Sequence, residues 1–105
     1  MSYIHPKATV DPTAVVGEGV AIRSGAWVGA RASIGDDCEI GKNATIGDGA
    51  ILCWGVKVKR HAYVCAGAFI SARAVIGRYA EIGRRVLVDA EAEIPAFETV
   101  DGRES

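Results

Sequence analysis

Leucine is nearly absent from this chain of 105 residues, in which Leu52 and Leu87 stand against 12 Val, 10 Ile, 17 Ala and 13 Gly. Helical domains are rich in leucine and tolerate glycine poorly, whereas branched residues with frequent glycines suit short strands joined by tight turns. The composition therefore excludes a helical bundle and favours an all-β fold.

Other features are missing as well. No apolar run approaches the length of a membrane span and the N-terminus MSYIHPKATV has no apolar signal core, so a cytoplasmic protein without membrane contact is expected. A formal net charge of -1 excludes a globally basic nucleic-acid-binding protein. The three cysteines, Cys38, Cys53 and Cys65, lack the spacing of metal ligands, which argues against a disulfide framework or a metal site.

What the sequence contains instead is a repeat of six residues. Four residues after the repeating aliphatic, the residue is Ala in 11 of 16 cases, Val or Cys in four, and Glu98 in the last. A period of six fits the two-residue alternation of a strand and not a helix, so both positions are predicted to face inward. Glycine directly follows seven of the aliphatics, where it is expected to supply the permissive backbone of a turn. The aliphatics form 17 unbroken steps: Ile4, Val10, Val16, Ile22, Val28, Ile34, Ile40, Ile46, Leu52, Val58, Val64, Ile70, Ile76, Ile82, Val88, Ile94 and Val100.

This pattern resembles the hexapeptide-repeat acyltransferase superfamily. The resemblance implies one left-handed parallel β-helix domain over residues 1–105, with a triangular cross-section and three hexapeptides in each coil. The repeat would run over residues 4–100 as about five and a half coils, and residues 95–105 would form a short C-terminal cap or tail. Relatives associate about a three-fold axis, so a homotrimer is implied too.

Eighteen residues per coil sort the outward side chains onto three flat faces. Four of the five on face C are apolar, a stripe that a monomer would not normally leave in water, and Val15, Ile51, Phe69 and Leu87 are therefore the predicted trimer interface. Face A carries Tyr3, Ala21, Glu39, Lys57, Val75 and Glu93; face B carries Thr9, Trp27, Thr45, Tyr63, Glu81 and Thr99; face C carries Val15, Ser33, Ile51, Phe69 and Leu87.

The corners of the prism differ in charge. The corner after face C, called the acidic edge, has Glu18, Asp36, Asp37, Asp89 and Glu91 against Arg73. The corner after face A, called the basic edge, has no acidic residue and carries Lys7, Arg23, Lys42, Lys59, Arg60, His61 and Arg78. Among these, Lys42, Lys59, Arg60 and Arg78 are the candidates for holding the phosphates of coenzyme A or another small anionic ligand. No phosphate-loop motif is present and no aromatic interleaves the cations before Tyr79, which disfavours nucleic acid.

The resemblance also locates an expected catalytic position. The segment IHPKATVDPTAVVGEGVAI is similar to the start of the β-helix in sugar acetyltransferases of the sialic-acid and bacillosamine type, whose catalytic hexapeptide reads aliphatic, Asp, His, Asp, Cys, any. The corresponding residues here are 52–57, LCWGVK, and the downstream CAGAF keeps the register. Trp54 therefore occupies the histidine position, where indole cannot take up a proton.

Two hypotheses follow. In the first, the protein is a catalytically silent or degenerate homotrimeric scaffold or binding module. In the second, it is a coenzyme A-dependent acetyltransferase acting on a sugar or amine, with His61 as the base in place of the missing histidine. The zinc-dependent branch of the superfamily needs three histidines, and a chain with two does not fit it.

Overall fold

The computed structural model describes residues 2–101, and within them every regular element is a two-residue β-strand. The last part of the predicted C-terminal tail, residues 102–105, lies outside the described residues. In chain order the strands are β1 (Tyr3–Ile4), β2 (Thr9–Val10), β3 (Val15–Val16), β4 (Ala21–Ile22), β5 (Trp27–Val28), β6 (Ser33–Ile34), β7 (Glu39–Ile40), β8 (Thr45–Ile46), β9 (Ile51–Leu52), β10 (Lys57–Val58), β11 (Tyr63–Val64), β12 (Phe69–Ile70), β13 (Val75–Ile76), β14 (Glu81–Ile82), β15 (Leu87–Val88), β16 (Glu93–Ile94) and β17 (Thr99–Val100).

Every third strand pairs in parallel, so the chain forms three flat sheets around one core. Face A is the sheet β1-β4-β7-β10-β13-β16, face B is β2-β5-β8-β11-β14-β17 and face C is β3-β6-β9-β12-β15. The register advances by one coil of 18 residues, as in the pairing of Phe69 with both Ile51 and Leu87. This is the predicted left-handed β-helix, and all 17 strands fall on the sequence repeat.

The core consists of the repeating aliphatics and the small residues between them. Ile40, Ile46, Ile70 and Ile76 are fully buried, and no polar side chain is buried among residues 2–101. Complete burial of such a side chain contributes about 1.5–3 kcal/mol. Burial fades at the N-terminal coil, where Ile4 is 43% exposed because no coil covers it.

The expectation that glycine directly after each aliphatic supplies the turn conformation is wrong. Positive φ occurs two residues later, for example at Gly55 (φ 72°). Gly41, directly after an aliphatic, is required for another reason: a Cβ there would lie 2.6 Å from the backbone nitrogen of Arg60 in the next coil. Close stacking of coils, and not backbone freedom, therefore selects glycine at that position.

Aspartates at the corners satisfy backbone groups of the preceding coil. Asp36 Oδ1 accepts a hydrogen bond from the Glu18 N–H at 2.9 Å, and Asp48 Oδ1 accepts one from the Ala30 N–H at 2.9 Å. Part of the corner charge thus stabilises the solenoid itself.

Candidate functional site

Trp54 lies in the turn between β9 and β10, on the acidic edge. Its side chain is 53% exposed, and the Arg73 guanidinium of the next coil lies over its ring at 5.8 Å from the centroid. Arg73 also forms an ion pair with Glu91 at 3.3 Å, one coil further on. The predicted catalytic position therefore holds an open aromatic surface with a cation above it, and it offers no group that could accept a proton.

His61 lies on the basic edge, in the turn between β10 and β11, at the corner opposite face C. It has φ 61° and its ring stacks on Tyr79 with centroids 4.7 Å apart. Tyr79 in turn stacks on Phe97 at 5.1 Å, so three rings from successive coils form a ladder. The structure places His61 and Trp54 at different corners of the prism and does not bring them together.

Two cysteines are poor candidates for a nucleophile. Cys38 is buried and its Sγ donates a hydrogen bond to the carbonyl oxygen of Cys53 at 2.9 Å. Burial raises the pKa of the Cys38 thiol, and burial together with the charge of Glu81 raises the pKa of Cys65. Both thiols are therefore protonated at neutral pH.

The basic edge borders a shallow groove on face A. The groove has a volume of about 480 Å³ and places Lys57, Lys59 and Arg78 around one opening. Lys42 and Arg60 are exposed on the same edge but do not line it. The remaining lining residues are Val75, Gly77, Glu93, Ile94, Pro95 and Ala96.

Lys57 is a groove residue that the sequence interpretation did not single out. It lies on face A, two residues before Lys59, and both side chains project from the same side of the chain. The two-residue spacing of Lys57 and Lys59 is the feature of the sequence that could have indicated this. The groove itself could not be predicted from the sequence, because it also needs the turn at Pro95, two coils beyond Lys59.

Face C carries the predicted apolar stripe. Val15 is 64% exposed, Ile51 40%, Phe69 37% and Leu87 65%, and the last three lie directly above one another in register. Faces A and B interrupt their apolar residues with charged or hydroxyl side chains. Face C therefore offers the most continuous apolar sheet surface of the described coils.

The described residues contain neither a metal site nor a membrane-spanning helix. Across residues 2–101, no three His, Cys, Asp or Glu side chains come together as a metal site would require. The same residues contain no helix able to cross a membrane.

Sequence comparison connects the repeat to a known family model. Residues 19–53 and 31–66 both match the model described as bacterial transferase hexapeptide (six repeats). A search of curated proteins found no match.

Several solved structures are similar to this chain. The acetyltransferase domain of PglB from Neisseria gonorrhoeae, in complex with acetyl coenzyme A, is 26% identical with a TM-score of 0.84 over 96% of this chain and 54% of that one. PerB from Caulobacter crescentus, in complex with CoA and GDP-perosamine, is 28% identical with a TM-score of 0.52 over 99% of this chain and 55% of that one. A hexapeptide transferase family protein from Anaplasma phagocytophilum, 20% identical with a TM-score of 0.65 over 98% and 75% of the two chains, supports the fold alone. The chain thus spans about half the length of the PglB and PerB structures.

Proposed function

Because this chain belongs to the hexapeptide-repeat superfamily of left-handed β-helices, we propose that it is a homotrimeric binding module that has lost the family's catalytic base. It binds a small anionic ligand, such as a coenzyme A thioester, and does not transfer the acyl group. The observation that carries this proposal is the exposed Trp54 at the position where the sugar acetyltransferases it resembles place a histidine.

The surroundings of Trp54 support the loss of catalysis. Arg73 lies over the indole, and no histidine accompanies Trp54 on the acidic edge of the described coils. His5 and His61 both lie on the basic edge. The histidine that the family uses as its base is therefore missing from the corner at which the family performs its chemistry.

Trimer formation is supported by face C. Its exposed apolar side chains occupy one flat sheet, and covering them with a second copy removes them from water. The turns at either side of face C would then approach neighbouring subunits, while the basic edge would point away from the assembly.

Ligand binding is supported by the groove on face A. Lys57, Lys59 and Arg78 line one opening together with Glu93, and the net positive charge of this opening fits the phosphate groups that coenzyme A carries. When bound, coenzyme A supplies an acyl group activated as a thioester. This groove belongs to the outer edge of the trimer and differs in position from a site between subunits.

A second candidate function is acetyl transfer by His61. The observation in its favour is that His61 is exposed on the edge that carries the groove, directly after Arg60. There, an imidazole nitrogen would accept the proton of a sugar or amine acceptor while the acceptor atom attacks the thioester carbonyl. The carbon–sulfur bond would then break, and the thiolate would leave as the thiol after taking up a proton.

Two measurements test ligand binding and separate these functions. Calorimetry should detect coenzyme A binding that Lys59→Glu with Arg78→Glu weakens at least tenfold, because two cations at the groove are reversed. Arg23→Glu, a charge reversal on the same edge outside the groove, should leave binding unchanged. No heat of binding with the unaltered protein would refute the ligand part of the proposal.

The second measurement follows acetyl transfer to a panel of amino sugars. The proposal predicts no release of free coenzyme A above the rate without protein. Release that His61→Ala abolishes and the control His5→Ala retains would establish the acetyltransferase function instead.

A further inference from the structure

The basic edge carries an exposed cation in each of five successive coils. The turns that form it in these coils contain no acidic residue. Because strands stack about 4.8 Å apart from coil to coil, the five levels of positive charge extend over roughly 19 Å along the solenoid axis. The turns, with their cations, are residues 5–8 (Lys7), 23–26 (Arg23), 41–44 (Lys42), 59–62 (Lys59 and Arg60) and 77–80 (Arg78).

Three of these cations lie directly above one another. Lys42, Arg60 and Arg78 occupy the same position of successive turns. The carbonyl oxygen of Lys42 accepts a hydrogen bond from the His61 N–H at 2.9 Å, and that of Arg60 accepts one from the Tyr79 N–H at 3.1 Å. These bonds join each turn to the next, so the cations project from a straight and regular edge.

The protein does not neutralise this charge itself. None of the six cations forms an ion pair with a carboxylate of residues 2–101. In the same five coils, the flanking faces A and B contribute only Glu39 and Glu81 against Lys57. In the sixth coil, Glu93 and Glu98 reverse the charge. The counter-charge along the five coils therefore has to come from outside the chain.

We propose that the basic edge binds a linear phosphate polymer, inorganic polyphosphate, which lies along the solenoid axis. A single oxygen bridges consecutive phosphates, so they lie closer together than consecutive coils and every level of cations meets a phosphate in any register. Arginine, which supplies three of the cations, can hold phosphate with two parallel hydrogen bonds. The inference goes beyond the proposed coenzyme A site, because that groove includes only Lys59 and Arg78 of this edge.

Two other linear polyanions fit the edge less well. An extended acidic peptide presents the side chains of one face about 6.6–6.8 Å apart, out of step with coils about 4.8 Å apart. Single-stranded nucleic acid stacks its bases on open aromatic faces. The ring of Tyr79 has His61 stacked on one side at 4.7 Å and Phe97 on the other at 5.1 Å, with interplanar angles of 8° and 6°. The ring ladder beside the cations therefore has no gap for a base.

Charge reversal at the N-terminal end of the edge tests this inference. Calorimetry should detect binding of long-chain inorganic polyphosphate that Lys7→Glu with Arg23→Glu weakens at least tenfold, although both residues lie outside the coenzyme A groove. The control is Arg84→Glu with Arg85→Glu, the same change in net charge at the corner between faces B and C. It should weaken binding by less than about twofold, because salt screens charges beyond about 8 Å.

Equal weakening by the two double variants would overturn the inference, since general attraction to the protein would then account for binding. Absence of polyphosphate binding would overturn it as well, and intact coenzyme A binding in the same preparation would leave the proposed function standing.

Two measurements on the unaltered protein need no variant. If five phosphates are neutralised, the dissociation constant should rise roughly a hundredfold between about 50 and 200 mM salt, and a nearly constant value would overturn the inference. Polyglutamate and a single-stranded oligonucleotide of matched charge should bind more weakly than polyphosphate. Tighter binding of either would overturn the assignment of a phosphate polymer and identify an acidic peptide or a nucleic acid as the partner instead.

Discussion

Replacing Phe69 and Leu87 by glutamate should convert the proposed trimer into monomers. In one subunit, the four apolar residues of face C leave about 350 Å² of side-chain surface in water, given their exposed fractions and typical side-chain areas. At roughly 25 cal/mol for each Å², covering that surface contributes about 9 kcal/mol per subunit, from which the cost of association must be subtracted.

The double variant removes more than half of this surface and introduces two carboxylates into the contact. An unpaired charge in a covered interface costs several kcal/mol, so little net attraction remains. Because both side chains project outward from β12 and β15, the core beneath them is unchanged and the fold should persist.

Multi-angle light scattering measures the outcome directly. The variant should have one third of the mass of the unaltered protein and a similar circular dichroism spectrum. Trp27→Glu with Tyr63→Glu is the matched control, because these side chains are similarly exposed on face B. If the face C variant is still trimeric, the assignment of the trimer interface to face C is refuted. If the face B control is monomeric, the trimer interface lies on face B.

Three further predictions concern the solenoid. Ile40→Ala should lower the free energy of unfolding by about 2–5 kcal/mol in denaturant titrations. Glu39→Ala, whose side chain points outward from the same strand, should change that free energy by less than about 0.5 kcal/mol. Equal effects of the two variants would contradict the assigned inward and outward faces. Gly41→Ala should also destabilise, because its Cβ would lie 2.6 Å from the next coil, and an unchanged melting temperature would contradict that close contact. Hydrogen bonds from the Thr13 hydroxyl and N–H, with the charge of Arg31, lower the pKa of Asp11 below 3.8. The stability that these contacts give the folded protein is therefore present above pH 3.8 and is lost as the pH falls through the lowered pKa. Thr13→Ala should raise this pKa in a carboxyl NMR titration, and an unmoved pKa would contradict the assignment.

The strand positions could be predicted from the sequence because the fold repeats without interruption. Each inward position, such as Ile40 or Ile76, is packed by equivalent residues one coil above and below, so the period of six carries the whole topology. The charges of the corners follow from the same count. Once three hexapeptides form a coil, adding 18 to a residue number gives its neighbour.

The turn conformation and the candidate site were harder to predict from the sequence. Gly41 and Gly55 occupy different positions of the six-residue repeat, but residue type does not show that the first avoids a clash with the next coil whereas the second has positive φ. The stacking of His61 on Tyr79 depends on side-chain orientation at an unusual backbone conformation, which residue type does not determine. The position of Trp54 on the acidic edge could be predicted from the sequence. The group that contacts Trp54, on which its role depends, could not.

The proposed function requires that this chain bind an acyl-coenzyme A-like anion without turning it over. The most direct test is chromatographic measurement of free coenzyme A after the trimer is incubated with acetyl coenzyme A and the panel of amino sugars. Bound acetyl coenzyme A should remain intact. Acceptor-dependent release of coenzyme A that disappears with His61→Ala would contradict it.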